Sequence, residues 1–197
     1  MRRILITIMA FSLMLVAAAP AFARGGPPAG VVPGDQTIAE IADEAGFTLL
    51  LAAVGYIAET NPDSALVEGL LNNDQYTVFA PTDAAFVDLV VTLDGAFDEF
   101  NAADPFTSID ALLGAGTVEA VVSYHVTDGR RATNSVLPRR GERTISTLLP
   151  GATFSVDTSA NITAVGNSAE IIGTDIPASN GVIHVIDAVI LPVDLGL

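Results

Sequence analysis

The sequence predicts a single α+β domain in which helices come first and strands follow. Three observations carry that expectation. From Thr37 to about His125 the apolar residues recur mostly at helical spacing. From Thr144 onward they fall into short runs of strand formers broken by Pro, Gly, Asn and Asp. Half of the 197 residues are hydrophobic, enough for a substantial core. Segregation of this kind points away from alternating βαβ units.

The chain opens on "MRRILITIMAFSLMLVAAAPAFA". A basic start, an apolar middle and a small-x-small close at Ala21-Phe22-Ala23 form the pattern of a secretory signal peptide, residues 1–23. An uncleaved anchor is the rival reading, because the apolar run is nearly long enough to span a bilayer; the Ala-x-Ala ending favours cleavage. Residues 24–36 begin "RGGPPAGVVPGD" and read as a flexible tether. The domain is expected over residues 37–192, with a short tail at 193–197.

Within the domain, "TIAEIADEAGF" pairs Thr37 with Glu40 as a capping box, places Ile38, Ile41, Ala42 and Ala45 on one stripe, and ends on Gly46. "FTLLLAAVGYIAE" continues with a second apolar helix through Leu50, Ala53, Val54 and Ile57. In "NPDSALVEGLL", Asn61 is expected to cap a third helix with Pro62 at its first position. "YTVFAPTDAAF" reads as strand, stop, cap and helix. Pro81 ends the strand by removing a donor, Thr82 or Asp83 caps, and Phe86, Leu89, Val90 and Leu93 form the next stripe. An acidic loop with a short helix is expected over Asp94–Asp110, then a helix carrying Val118, Val121 and Val122, with His125 next in line. The later strands are "RTISTLL", "ATFSVD", "NITAV", "AEIIGTDI" and "GVIHVIDAVIL", the last entered through a tight turn at Asn180-Gly181.

Composition excludes several functions. There is no cysteine, so disulfides, thiol catalysis and cysteine-ligated zinc are ruled out. All eight basic residues are arginine, which removes Schiff-base lysine chemistry and a P-loop lysine. Without Arg2 and Arg3, six cations oppose 23 acidic residues, a balance unsuited to nucleic acid. An acidic, lysine-free exterior suits high ionic strength, where salt screens self-repulsion, and stability is then expected to rise with salt.

At this point "TVFAPTDAAF", "YHV" and "ASNGVIHVIDAVILP", in that order over roughly Thr37 to Pro192, resemble the fasciclin domain family. The first and last are similar to its two sequence boxes, and Tyr124-His125 to its central marker. The resemblance implies a β-wedge or sandwich of about seven strands wrapped by several helices. It also implies an extracellular adhesion module that is not an enzyme and needs no cofactor. The segments "ETNPDSALVEGLLNND" and "DGAFDEFNAADPFTSID" are longer than the family pattern leads one to expect.

Three groups are candidate binding residues. Tyr124 and His125 match a region that the family's animal members use in integrin binding; the alternative is a buried, hydrogen-bonded corner between helix and strand. Asp175 and Ile176 match a second adhesion pair; the alternative is an Asp that satisfies its own turn beside Pro177. Arg130, Arg131, Arg139, Arg140 and Arg143 crowd into "DGRRATNSVLPRRGER", either as an anion-binding patch or in local ion pairs with Asp and Glu.

Other patterns are weaker. Asp94, Asp98, Glu99 and Asp104 lack EF-hand spacing, and two distant histidines are too few for a His-rich zinc site, so no metal site is expected. No Gly-x-Ser-x-Gly elbow is present.

The expected function is that of a secreted, extracellular or periplasmic interaction module, associated with the cell surface. Its partner would be an extracellular protein or an anionic polysaccharide, and the module a monomer or weak oligomer. The alternatives are a carrier of a small apolar ligand or lipid between helices and sheet, and, last, a hydrolase using His125 or His184.

Overall fold

The structure, a computed structural model, describes residues 32–71, 74–99 and 101–196. The expected signal peptide and most of the tether lie outside them. The tether's end is held in place. The Gly34 N–H donates to the Ala178 carbonyl at 3.2 Å, and the Ser179 N–H donates to that of Gln36 at 2.6 Å.

Helices dominate the first half: α1 (Ile38–Ala45), α2 (Thr48–Thr60), α3 (Ala65–Leu71), α4 (Asp83–Ala96), α5 (Pro105–Leu113) and α6 (Thr117–Tyr124). The first strand, β1 (Tyr76–Pro81), lies between α3 and α4. After α6 come β2 (Val126–Asp128), the single turn α7 (Thr133–Val136), β3 (Glu142–Ser146), β4 (Thr153–Asp157), β5 (Asn161–Thr163), β6 (Ser168–Ala178) and β7 (Gly181–Ile186). This is the α+β arrangement that the residue patterns predict, and the seven strands and flanking helices among the described residues are those the resemblance implies.

Several local expectations hold. Thr37 and Glu40 form both halves of the capping box, and Gly46 closes α1 in the left-handed region at φ 80°. Thr82 accepts from the Ala85 N–H and starts α4. Two expectations are corrected. The third helix starts at Ala65, not Pro62, because Asn61 ends α2 by donating its N–H to Ile57 and sends its side-chain amide to Glu119. The hairpin loop is Ser179-Asn180, with Gly181 already paired to Ala178. The Asn180 side chain is drawn inward, accepting from the Ile38 N–H and donating to the Leu70 carbonyl. Gly181 cannot carry a side chain, since a Cβ there would lie 2.1 Å from the Tyr76 carbonyl oxygen. Strand β2 and helix α7 were not foreseen; three- and four-residue elements carry almost no periodicity.

The sheet runs β2-β1-β7-β6-β5-β4-β3. β1 and β7 are parallel, with Phe79 beside His184; the other pairs are antiparallel. Residues alternate across this central pair. Val78, Ala80, Ile183 and Val185 face a helical core with Ile57, Phe86 and Val122. Phe79 and Ile186 face a second core with Tyr124, Ile145, Phe154 and Ile162. The sheet curls around that second core until its two edges touch. The Leu148 N–H donates to the Val126 carbonyl at 2.8 Å, and the Thr127 hydroxyl donates to that of Ser146 at 2.6 Å. This contact gives the sheet a closed, wedge-like form and covers backbone that open edges would leave unpaired.

Candidate functional site

Tyr124 and His125 sit where α6 hands the chain to β2, at the seam between the two cores. Tyr124 is 0% exposed; its hydroxyl donates to the Thr153 carbonyl at 2.7 Å, and its ring meets Phe154 edge-on. Burial pushes its phenol above the ordinary value. His125 is 2% exposed. Its Nε2 accepts from the Ile190 N–H at 3.0 Å, so that nitrogen carries no proton. Nδ1 must then carry it, and it donates to the Val121 carbonyl at 2.7 Å. Burial depresses this imidazole from 6.5 to about 4, only partly opposed by the Val121 carbonyl. The ring joins α6 to the segment after β7, while the His125 carbonyl accepts from the Phe79 N–H and ties in β1. Of the two readings of this pair, the geometry is that of a buried corner.

Asp175 lies in an irregular stretch of β6, at φ 61°, in the left-handed region. Its carboxylate does not serve its own turn. It reaches 42 residues back to Thr133, accepting the backbone N–H at 2.7 Å on Oδ1 and the hydroxyl on Oδ2. Since α7 has no side-chain cap of its own, Asp175 does that work from outside. Ile176 is half-buried, pairs with Ile183 across the hairpin and packs on the helical core. Beside them His184, 0% exposed, accepts the Asp175 N–H on Nδ1 at 3.3 Å and donates from Nε2 to the Arg131 carbonyl at 2.8 Å. Burial lowers its basicity, with the Arg131 carbonyl and the Asp175 charge opposing. Its ring lies against Phe79, centroids 5.5 Å apart. The two histidines occupy separate networks, each closed by backbone groups.

The five arginines divide. Arg130 clasps the β6–β7 hairpin: Nη1 donates to the Gly181 carbonyl at 2.6 Å, Nη2 to that of Ala178, and Nε to Gln75. Arg131 donates its N–H to the Thr77 hydroxyl and its Nε to the Asp128 carbonyl. Arg143, on β3, donates once, to the Asn134 carbonyl at 3.1 Å. Arg139 and Arg140 are exposed, and among the described residues they have no hydrogen-bond or carboxylate partner. The local ion pairing expected as the alternative for this cluster is not found there; the partners are carbonyls.

Some residues matter in ways the sequence did not signal. Asp83, inside the "TDAAF" run, accepts from the Leu49 N–H at 3.0 Å and from the Thr48 hydroxyl, capping α2. Asp110 accepts from the N–H groups of Gly116 and Val118 at the start of α6. Among the described residues no three His, Cys, Asp or Glu side chains converge as a metal site would need. An apolar cleft of about 40 Å³ lies between α2, α4, α5 and α6, closed by Val189, Leu191 and Val193. At roughly 10–15 Å³ for one water by the same measure, it has room for a few waters and not for a lipid tail.

Residues 54–192 match the family described as the fasciclin domain. Immunogenic protein MPB70 of Mycobacterium bovis is 31% identical over 147 residues, which is 74% of this chain and 63% of that protein. Cell surface glycolipoprotein MPB83 of the same species is 32% identical over 133 residues, 67% of this chain and 50% of that protein. The chain thus spans less than two thirds of either relative. A FAS1 domain pair from the insect cell adhesion molecule fasciclin I superposes with a TM-score of 0.44 at 15% identity, covering 73% of this chain and 45% of that one.

Proposed function

The chain belongs to the fasciclin domain family, and we propose that it acts outside the cytoplasm as an interaction module that adheres through its exterior without catalysis. The observation that carries this reading is the state of the family-marker side chains. Tyr124, His125, Asp175 and His184 each spend their polar atoms on the protein's own backbone or on Thr133. A general base needs a lone pair aimed at a substrate; on both imidazoles the unprotonated nitrogen already accepts a backbone N–H. The markers then hold the corner and hairpin, and recognition falls to the loops and arginines outside. The signal-peptide pattern and the cell-surface name of one relative support export. The partner would be an extracellular protein or an anionic polymer. One small domain binds modestly, so useful adhesion would come from many copies on a surface.

The test is affinity capture from native cell-surface extract by folded, purified protein, at low and high salt, with mass spectrometry of what is retained. A specific surface component supports the module; a folded protein that retains nothing in either condition overturns it. The apolar cleft favours a second reading, a carrier of a small apolar ligand, for which the cleft would have to open. Native mass spectrometry of protein purified from its host decides between them, because a carrier arrives with added mass.

A further inference from the structure

We infer that the corner made by Arg139, Arg140 and Arg143 is a binding site for a polyanion, a polymer of closely spaced carboxylate or phosphate groups. This rests on the reading of the protein as a surface interaction module and names the chemistry of its partner.

The first argument is the distribution of charge. Of the six arginines left after the expected cleavage, five fall between residues 130 and 143. Arg130 is committed to the hairpin carbonyls, and Arg131, anchored through its backbone N–H to Thr77, turns its Nε back to the Asp128 carbonyl, away from the bend at 139–141. What remains is a cationic corner at the entrance to β3, an outer strand of the sheet. Arg139 and Arg140 project from a bend between Pro138 and Gly141, where φ is 66°. Arg143 follows on the strand, its guanidinium steadied by Asn134 with most of its N–H donors free to serve another acceptor.

The second argument is that the nearby carboxylates are turned elsewhere. Glu142 accepts from the Ser155 hydroxyl on β4. Asp157, opposite Glu142 in the sheet, is held by the N–H groups of Ser159 and Asn161 and by the Asn161 amide. Those hydrogen bonds keep its carboxyl below the usual range. Both carboxylates keep their charge, but among the described residues neither makes a hydrogen bond or ion pair to these arginines.

The third argument chooses the class of partner. A folded-protein interface is built around buried apolar anchors. None of the large apolar side chains exposed among the described residues lies between 128 and 146. A polyanion needs no such anchor. Guanidinium groups engage carboxylate or phosphate oxygens two at a time. At physiological ionic strength charges are screened over about 8 Å, so the corner acts locally despite the acidic surface elsewhere.

The experiment uses immobilised polygalacturonate and immobilised long-chain polyphosphate, in about 0.1 M salt, with wild type, R139Q/R140Q and R143Q. Wild type should be retained on at least one polymer; which one identifies carboxylate or phosphate as the favoured group. The double variant should bind about tenfold or more weakly, and the dependence of log affinity on log salt should fall by roughly one to two, as fewer counterions are released. R143Q should be intermediate. Both arginines of the double variant are exposed, so its melting temperature should match wild type. Equal retention of wild type and double variant, or retention of wild type on neither polymer, overturns the inference. So does sedimentation showing that R139Q/R140Q dissociates a wild-type oligomer while polymer retention is unchanged, for then a second copy is the partner. The two readings fail separately. Surface capture that survives in R139Q/R140Q, with polymer binding also unchanged, removes the site and leaves the module. Polymer binding lost in the variant, with no surface component captured by wild type, keeps the site and removes the module.

Discussion

Acidification should unlock the corner at His125, and the size of the effect follows from its surroundings. The folded protein holds this imidazole neutral, with Nε2 accepting from Ile190 and Nδ1–H donating to Val121. Protonation would place a second donor against the Ile190 N–H and a charge in an apolar core. The group's ordinary value is 6.5 and its folded value about 4. A histidine with a depressed folded pKa binds its proton more readily when unfolded. Its contribution is therefore fully present above 6.5, declines as the pH falls from 6.5 to about 4, and is gone below that. At about 1.4 kcal/mol per pH unit, the amount lost is about 3 kcal/mol. His184, also depressed by burial, acts in the same direction. Asp157, held below its ordinary value of 3.8, loses its contribution only at lower pH than this window, whereas the acidic surface sheds self-repulsion as the pH falls toward 4. The clean measurement is thus a difference. Urea denaturation of wild type and H125N between about pH 7 and pH 4 should give two curves that converge by about 3 kcal/mol as the pH falls. A companion NMR titration should find the His125 ring neutral in the folded state down to about pH 5. Parallel stability curves, or a ring that titrates near its ordinary value while the protein stays folded, would refute the reasoning.

The other predictions concern positions where contacts, not residue types, set the outcome. Removing the remote cap by D175A should cost about 1–2 kcal/mol in urea denaturation, because Thr133 loses both its acceptors. D175N should cost less, since it keeps an acceptor and tolerates the left-handed backbone. G181A should prevent folding or cost more than about 3 kcal/mol, given the Tyr76 carbonyl oxygen 2.1 Å from the new Cβ. G46A, where the space is open but φ is 80°, should cost about 1 kcal/mol, so equal losses at the two glycines would contradict the close approach. R130Q should destabilise by about 1–3 kcal/mol through the hairpin carbonyls, while R139Q should stay within about 0.5 kcal/mol of wild type; thermal melts separate them.

The order of the longer helices and strands, the capping box at Thr37, the stop at Pro81, the cap at Thr82 and the turn near Asn180 follow from spacing and residue type alone; β2 and α7 do not. Each of the features that do depends on neighbours within four residues, and local sequence contains that information. The crowding of cations between 130 and 143 is equally plain in one dimension. Folding decided what those residues meet. Of the seven helices among the described residues, three draw a side-chain cap from a distant part of the chain, α1 from Asn180, α2 from Asp83 and α7 from Asp175, and α6 draws one from Asp110 on the preceding helix. Asp110 looks like any other acidic residue of a solvated face, and Asp83 like a cap for its own helix, until the fold brings another helix start to each. Likewise Arg130 and Arg139 are chemically identical in the sequence, and only the position of the β6–β7 hairpin makes one a clasp and leaves the other to solvent. The physical reason is range: helical periodicity and turn chemistry act between near neighbours, whereas a buried donor must find its acceptor wherever the chain packs, and that partner is chosen by tertiary geometry.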